Sequence, residues 1–175
     1  MPPLSLVVAR EGRDRVLAAR QVLPASIDDV FPFFAEAANL ERITPPWLRF
    51  RIVTEGPVEM RVGALIDYRL RVRGAPLRWR TRISAWDPPH RFEDEQVRGP
   101  YVLWKHEHTF TPVPGGTMCV DRVRFRFRAP LGALVHDALV VPDVRRIFRY
   151  RGETLARIFG GDGALTSCTP SRGSA

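Results

Sequence analysis

The feature that most restricts the possible folds of this chain is a succession of segments in which apolar and polar residues alternate. Successive side chains of a β-strand point to opposite faces, so strict alternation predicts a strand with one buried and one exposed face. After a first strand at residues 15–23, the segments are residues 50–54, 64–73, 77–86, 91–97, about 104–113, and 117–128. Arginine dominates the outward positions, and apolar or aromatic residues dominate the inward ones. The pattern predicts an antiparallel sheet of about seven strands that is covered on one face.

Helical patterns occur on both sides of this run of strands. Ser26, followed three residues later by Asp29, has the form of a helix N-cap, and a second short helix is predicted to end near Ile43. We expect helix to return after Pro130, to be interrupted at Pro142, and to continue as the C-terminal helix from Asp143. The apolar stripe of that helix consists of Val144, Ile147, Phe148, Leu155, Ile158 and Phe159. The predicted class is α+β, with a curved antiparallel sheet around a long C-terminal helix and two short helices after the first strand.

The composition is that of a single soluble domain. The chain has 175 residues, of which 45% are hydrophobic and 26% charged, and it shows no apolar run that would span a bilayer and no secretory signal pattern. The two cysteines favour a cytoplasmic protein without a structural disulfide. We divide the chain into an N-terminal extension (1–13), a folded domain (14–159) and a disordered tail (160–175) that is rich in Gly, Ser and Pro.

Two histidines fall on a strand face that should be buried. Trp104, His106, His108 and Phe110 alternate with polar residues, so these four side chains share one face. Burying an imidazole costs free energy unless the ring has a polar partner. The segment therefore predicts an internal cavity with polar groups in its wall.

A tight turn at residues 114–116 sets the pairing of the last two predicted strands. This pairing places His108 opposite Asp121 and His106 opposite Val123, with Cβ atoms of each pair about 4.5–5.5 Å apart. An aspartate there would accept a proton from the imidazole and fix its tautomer. Two interpretations stay open: a general acid/base or ligand-binding pair, and a buried polar network that stabilises the strand register.

Three other residues have both a binding and a structural interpretation. Tyr101 follows Gly-Pro near the expected cavity mouth, where its hydroxyl would bind a carbonyl or carboxylate, or pack a loop. Arg151, in the last helix, would reach an inward carboxylate such as Asp94 or Asp121, or bind an acidic ligand. Asp94 has the same two interpretations.

The sequence gives weaker signs of a metal site and of nucleic-acid binding. Histidine and carboxylate ligands suit zinc or iron, but no third histidine lies on a neighbouring predicted strand, so we expect no metal and no cofactor. Net charge is +8, yet the aromatic residues lie on the face opposite the arginines, whereas base stacking needs them side by side. We therefore expect no specific nucleic acid partner and no transmembrane segment.

Several motifs resemble those of one superfamily. They are V-F-P-F-F at 30–34, N-L-E-R-I-T-P-P at 39–46, Trp79, R-F-E-D at 91–94, G-P-Y at 99–101, W-K-H-E-H at 104–108, G-G-T at 115–117 with Asp121, and I-F-R-Y-R at 147–151. Over about residues 14–159 the chain resembles a bacterial ligand-binding subgroup of the SRPBCC superfamily, also called START/Bet v 1-like. The resemblance implies the helix-grip fold. It implies either ligand binding or a polyketide cyclase/dehydrase-like activity, because the superfamily mixes carriers, cyclases, hydrolases and lipid-transfer proteins.

We expect the chain to bind a small hydrophobic or amphipathic ligand in a cavity between the sheet and the C-terminal helix. The residues expected to contact the ligand are Tyr68, Trp79, Asp94, Tyr101, Trp104, His106, His108, Phe110, Asp121, Phe125 and Arg151. The alternative is a cyclase/dehydratase-type enzyme in which His108, supported by Asp121, moves a proton next to a carbonyl. A third hypothesis is an interaction module that uses the basic outer face. The ligand, the presence of a reaction and the oligomeric state stay open.

Overall fold

The structure is a computed structural model that describes residues 4–127 and 136–160. Its strands are β1 (Ser5–Glu11), β2 (Asp14–Leu23), β3 (Arg51–Ile52), β4 (Leu65–Val72), β5 (Ala75–Asp87), β6 (Arg91–Arg98), β7 (Tyr101–Val113) and β8 (Gly116–Phe127). Its α-helices are α1 (Ile27–Ala35), α2 (Asn39–Ile43) and α3 (Val141–Gly160). A 3₁₀ turn spans Pro46–Leu48, and a π-helical turn, His136–Val140, leads directly into α3.

The strands form one antiparallel sheet in the order β1-β2-β8-β7-β6-β5-β4-β3. From β3 to β8 each strand pairs with its neighbour in sequence, and β2 then pairs with β8. This pairing brings the beginning of the domain beside its end, where α3 packs against β1 and β2. The α+β class and the sheet-and-helix architecture are confirmed.

The sheet has eight strands instead of the expected seven or so. The additional strand is β1, which lies in the segment assigned above to an N-terminal extension and pairs with the whole of β2. Leu4, Leu6 and Val8 pack against a buried cluster, while the residues between them face outward. Val7 is apolar but faces outward, so this short segment carries only a weak alternating signal.

The helix boundaries follow from local chemistry. At the start of α1, the Asp29 backbone N–H donates to Ser26 Oγ at 3.2 Å, and the Ser26 hydroxyl donates to the Asp29 carboxylate at 2.6 Å, as the N-cap pattern predicted. Pro142 is the second residue of α3, directly after the π-helical turn, so the backbone changes from π- to α-helical there and the α-helix continues through the proline. Arg128, the helical segment expected after Pro130 and the tail beyond Gly160 lie outside the described residues.

Two hydrophobic clusters fill the space under the sheet. One consists of Leu23, Val30, Phe31, Phe34, Ile43, Phe92, Phe110, Cys119 and Leu155. The other consists of Leu17, Ala19, Val123, Phe125, Val144 and Phe148. Strand β8 contributes to both clusters, whereas β7 contributes Phe110 to the first and packs Trp104 against the second. His106, His108 and Asp121 lie between these contributions on the same strand faces. The polar residues are therefore enclosed by apolar packing on both sides.

Candidate functional site

A cavity of about 450 Å³ lies between the sheet and the helices α1, α2 and α3. Strands β4 to β7 form its floor, and α3 supplies Val144, Ile147 and Phe148 on the opposite side. Its wall is mainly apolar; the aliphatic side chains on it include Leu40, Ile43, Leu48, Ile66, Leu70, Leu77 and Ile83. The alternation of the sequence accounts for the strand contributions, since every second residue of each strand faces inward.

Most of the residues predicted to contact a ligand line this cavity. They are Tyr68, Trp79, Asp94, Tyr101, Trp104, His106, His108 and Arg151. Phe110 and Phe125 lie elsewhere, in the packed clusters, where they are 2% and 0% exposed. Phe110 contacts the rings of Phe31 and Phe34 with centroid distances of 5.5 and 4.9 Å, so helix α1 covers it completely.

Asp121 lies behind the histidines instead of on the cavity wall. The predicted register of β7 and β8 is confirmed: His108 pairs with Asp121, and His106 pairs with Val123. The Asp121 carboxylate oxygen Oδ1 lies 2.8 Å from His108 Nδ1 and 2.9 Å from His106 Nε2. One carboxylate therefore contacts both rings, where the sequence suggested only the His108 pair.

Asp94 contacts the same two rings from the cavity side. It is opposite His106 in the pairing of β6 with β7. Its Oδ2 lies 3.2 Å from His108 Nε2 and 3.6 Å from His106 Nδ1. Each imidazole thus has one nitrogen directed at Asp121 and the other at Asp94, and the two rings contact each other with centroids 3.8 Å apart.

Arg151 of α3 completes this buried cluster. Its Nη2 lies 3.6 Å from Asp121 Oδ1 and 3.5 Å from His108 Nδ1. Burial by itself would raise the pKa of Asp121, but the Arg151 charge and the contacts with both histidines hold it well below its usual range. Asp121 is therefore ionised and only accepts hydrogen bonds, so His106 donates to it from Nε2. His108 forms its hydrogen bonds with Asp94 through Nε2 and with Arg151 through Nδ1.

Burial also changes the protonation of His106. Desolvation and the neighbouring His108 lower the pKa of His106 to about 4, in spite of the opposing effects of Asp121 and Asp94. His106 is therefore a neutral ring at physiological pH. With hydrogen on the nitrogen that faces Asp121, its Nδ1 presents a lone pair toward Asp94 and the cavity.

Phe92 supports the cluster in a way that the sequence interpretation missed. Its ring stacks on His108 with a centroid distance of 4.1 Å and an interplanar angle of 19°. Phe92 precedes Asp94 by two residues and shares its strand face, so the strand period was the available signal.

A second polar group on the wall joins two predicted aromatic residues. The Thr81 hydroxyl oxygen accepts a hydrogen bond from Trp79 Nε1 at 3.0 Å and lies 2.6 Å from the Tyr68 hydroxyl. Burial raises the pKa of Tyr68 far above its ordinary value, so the phenol is neutral. Trp79 and Tyr68 stack with centroids 6.0 Å apart and form a fixed aromatic wall.

An ion pair crosses one edge of the cavity. Arg73, in the β4–β5 turn, donates to both carboxylate oxygens of Asp143 at 2.8 and 3.2 Å, and both residues lie on the cavity lining. The pair joins residues 70 positions apart in sequence and was not predicted. Exposed residues of this kind carry no periodic signal that would reveal their contact.

The donor atoms present could hold a metal ion at one position. Asp94, His106 and His108 each offer one ligand atom, and these atoms lie within 4.8 Å of one another. The expectation that no metal binds was based on the lack of a third histidine. In the structure, the Asp94 carboxylate lies where a third histidine ligand would have to be.

A family comparison agrees with this fold. Residues 15–160 match the model of the family described as "Polyketide cyclase / dehydrase and lipid transport". The chain belongs to this family. The match covers most of the chain and supports the SRPBCC/Bet v 1-like assignment made from the motifs. No curated protein matches the sequence.

Three solved structures have a similar fold but are distant from this family member in sequence. Protein Ms6760 from Mycobacterium smegmatis is 18% identical, with a TM-score of 0.66, covering 92% of this chain and 100% of that one. The ZhuI aromatase/cyclase from Streptomyces sp. R1128 is 20% identical, with a TM-score of 0.61 and coverages of 86% and 99%. Ginseng major latex-like protein 151 from Panax ginseng is 14% identical, with a TM-score of 0.53 and coverages of 77% and 97%. These likenesses establish the fold alone.

The outer face of the sheet in this family member is an array of ion pairs. Arg80 donates to both carboxylate oxygens of Asp67 at 2.8 Å, and this hydrogen bonding lowers the pKa of Asp67. Further pairs are Arg82–Glu95, Lys105–Glu93, Arg91–Glu107, Arg122–Glu11 and Arg124–Asp14. The pairing reduces the positive field that a polyanion would meet. Among the described residues, no helix has the length and apolar character needed to cross a membrane.

Proposed function

We propose that this protein binds a small hydrophobic or amphipathic molecule in the cavity between the sheet and α3. The observation that carries the proposal is the combination of about 450 Å³ of space, a mainly apolar wall and a compact cluster of Asp94, His106 and His108 on that wall. Ligand pockets typically have this composition, since apolar surface supplies affinity and a few polar atoms fix orientation.

The wall suggests how a ligand would be oriented. Trp79, Tyr68 and Trp104 would contact its apolar part, and Asp94, His106 and His108 would contact its polar end. Tyr101, the first residue of β7, adds another ring to this wall and contacts Trp79 with ring centroids 5.5 Å apart. We infer a cytoplasmic location from the composition and from Cys119, which is a free, buried thiol.

A thermal-shift screen tests the proposal. Purified protein would be heated with a panel of aromatic polyketide-like, sterol-like and fatty acyl compounds, and the melting temperature compared with that of the protein alone. A compound present at 100 times its Kd adds about 2.7 kcal/mol to the free energy of unfolding, because it binds only the folded state. If no compound raises the melting temperature, the binding proposal fails.

A second candidate is an enzyme of the cyclase/dehydratase kind, favoured by His108 and Asp94 lying together on the cavity wall. His108 would move a proton next to a carbonyl of the bound molecule, and Asp121 would hold the ring in position. The Streptomyces sp. R1128 neighbour is described as an aromatase/cyclase. His108→Ala should lower turnover by about 10²–10⁴-fold with the fold retained. His90→Ala, an exposed histidine in the β5–β6 turn, is the control.

A further inference from the structure

The two histidines lie between two carboxylates, and their ring nitrogens face both of them. His106 Nε2 forms a hydrogen bond with Asp121 Oδ1 at 2.9 Å, and His108 Nδ1 lies 2.8 Å from the same oxygen. The other nitrogens, His106 Nδ1 and His108 Nε2, face Asp94 Oδ2 at 3.6 and 3.2 Å. Three atoms that can act as metal ligands therefore lie together on the cavity wall.

The spacing of these atoms suits a small divalent ion. Zinc bonds of about 2.0–2.2 Å in tetrahedral geometry place neighbouring ligand atoms roughly 3.4 Å apart. The observed separations of 3.2 and 3.6 Å from Asp94 Oδ2 to the two nitrogens lie on either side of this value, and all ligand atoms lie within 4.8 Å of one another. No large movement of the strands is needed to bring the three atoms onto one ion.

An independent feature of the site also points to a metal. Metal-binding histidines usually donate their second N–H to a carboxylate, which fixes the tautomer and orients the ring. Asp121 Oδ1 lies within 2.9 Å of one nitrogen of each ring, so it can take this role for both histidines when His108 carries its hydrogen on Nδ1. Arg151 lies behind Asp121 at 3.6 Å, and Phe92 stacks on His108 and further restricts the ring. The second nitrogen of each ring then faces Asp94 and can bind an ion.

We propose that Asp94 Oδ2, His106 Nδ1 and His108 Nε2 bind one divalent transition-metal ion, zinc or iron(II), whose open coordination positions face the cavity. Two histidines and one carboxylate are a ligand set suited to both ions. Metal binding at this site does not depend on a small molecule in the cavity. The further expectation that an oxygen atom of that small molecule completes the coordination rests on the proposed binding function. Coordination would replace the proton transfer considered above for His108.

Titration of the chelator-treated protein with Co²⁺ alone tests the metal site directly. We expect visible absorption bands that saturate at one Co²⁺ per chain and disappear when Zn²⁺ is added. Asp94→Asn and His108→Ala should abolish the bands. Asp121→Asn, which alters only the support of the rings, should weaken affinity by about 10–100-fold. His90→Ala should bind as the wild type does. If wild-type protein binds no more Co²⁺ than Asp94→Asn, the metal proposal is overturned.

A measurement on unaltered protein covers the case in which a variant fails to fold. Side-chain ¹⁵N NMR should show large Zn²⁺-dependent shifts of His106 Nδ1 and His108 Nε2, with hydrogen on Nε2 of His106 and on Nδ1 of His108 in the Zn²⁺-bound form. Unchanged ring nitrogens in saturating Zn²⁺ would contradict the proposal. The ligand screen is a separate test. Co²⁺ binding without any compound-dependent thermal shift overturns the binding function and leaves the metal site standing. A compound-dependent thermal shift without Co²⁺ binding overturns the metal site and leaves the binding function standing.

Discussion

At the scale of single residues, the Thr81 hydroxyl holds together one wall of the cavity. It is 4% exposed and serves both the Trp79 indole N–H and the Tyr68 hydroxyl. A buried donor that loses its acceptor keeps the full cost of its desolvation. The aromatic wall therefore depends on one oxygen atom.

Thr81→Val removes that oxygen and keeps the shape of the side chain. We expect the free energy of unfolding to fall by about 1–3 kcal/mol, because the Trp79 indole N–H and the Tyr68 hydroxyl both lose their hydrogen-bond partner. Urea denaturation followed by tryptophan fluorescence measures the change. Thr111→Val, at an exposed position of β7, is the matched control and should change stability by less than about 0.5 kcal/mol. Equal effects of the two substitutions would contradict this role of Thr81.

Cys119 gives a second prediction at this scale. Burial raises the pKa of its thiol to about 12, so almost no thiolate is present near neutral pH. We expect Cys119 to be modified by iodoacetamide very slowly in the native protein at pH 8 and readily in guanidinium chloride. Peptide mapping by mass spectrometry, restricted to the Cys119 peptide, reports the rate. Rapid native labelling would show that β8 opens locally.

At the scale of secondary structure, α3 is held against the first two strands by a close contact at Gly152. The Gly152 carbonyl oxygen accepts a hydrogen bond from Gln21 Nε2 at 2.9 Å. A β-carbon at position 152 would lie 2.7 Å from Leu4 Cδ2, which precedes β1. This glycine, although it lowers helix propensity, allows α3 to approach the sheet.

Gly152→Leu should therefore destabilise the protein by about 1–3 kcal/mol through overpacking, in spite of the gain in helix propensity. Glu153→Leu, at the next and exposed helical position, controls for propensity and should be close to neutral. Chemical denaturation measures both. In the Gly152→Leu background, Leu4→Ala should recover part of the loss, and additive effects of the two substitutions would show that the contact does not limit the helix.

At the scale of the whole molecule, the cavity and the packed clusters respond differently to added volume. Ile66 lines the cavity and is 5% exposed, whereas Val123 is fully buried in a cluster beside it. An added ring at Ile66 has space to occupy. An added ring at Val123 has none, since close-packed interiors do not yield without strain.

We expect Ile66→Phe to keep the melting temperature of the free protein and to abolish ligand-dependent thermal shifts. Val123→Phe should destabilise the free protein by about 1–3 kcal/mol. Differential scanning calorimetry with and without a compound from the screen distinguishes the two. If Ile66→Phe is as destabilising as Val123→Phe, the cavity does not provide the space on which the binding proposal depends.

Much of the fold was predictable because it depends on local periodicity. The two-residue period of the strands determines which side chains face inward, so Trp104, His106 and His108 were correctly assigned to one face. The tight turn at residues 114–116 determines the register of β7 and β8, and hence that His108 is opposite Asp121. Ser26 with Asp29 determined the start of α1 in the same local way. Strand β1 was missed because its alternation is short.

Tertiary structure alone decided how the site is assembled. The four-membered arrangement of His106, His108, Asp121 and Asp94 depends on the pairing of β6 with β7, on side-chain rotamers and on the position of Arg151 in α3. The separation of Phe110 and Phe125 from the cavity depends on how closely α1 and α3 approach the sheet. Periodicity in a sequence specifies the direction of a side chain, whereas the distance between elements far apart in the chain results from the packing of the entire core.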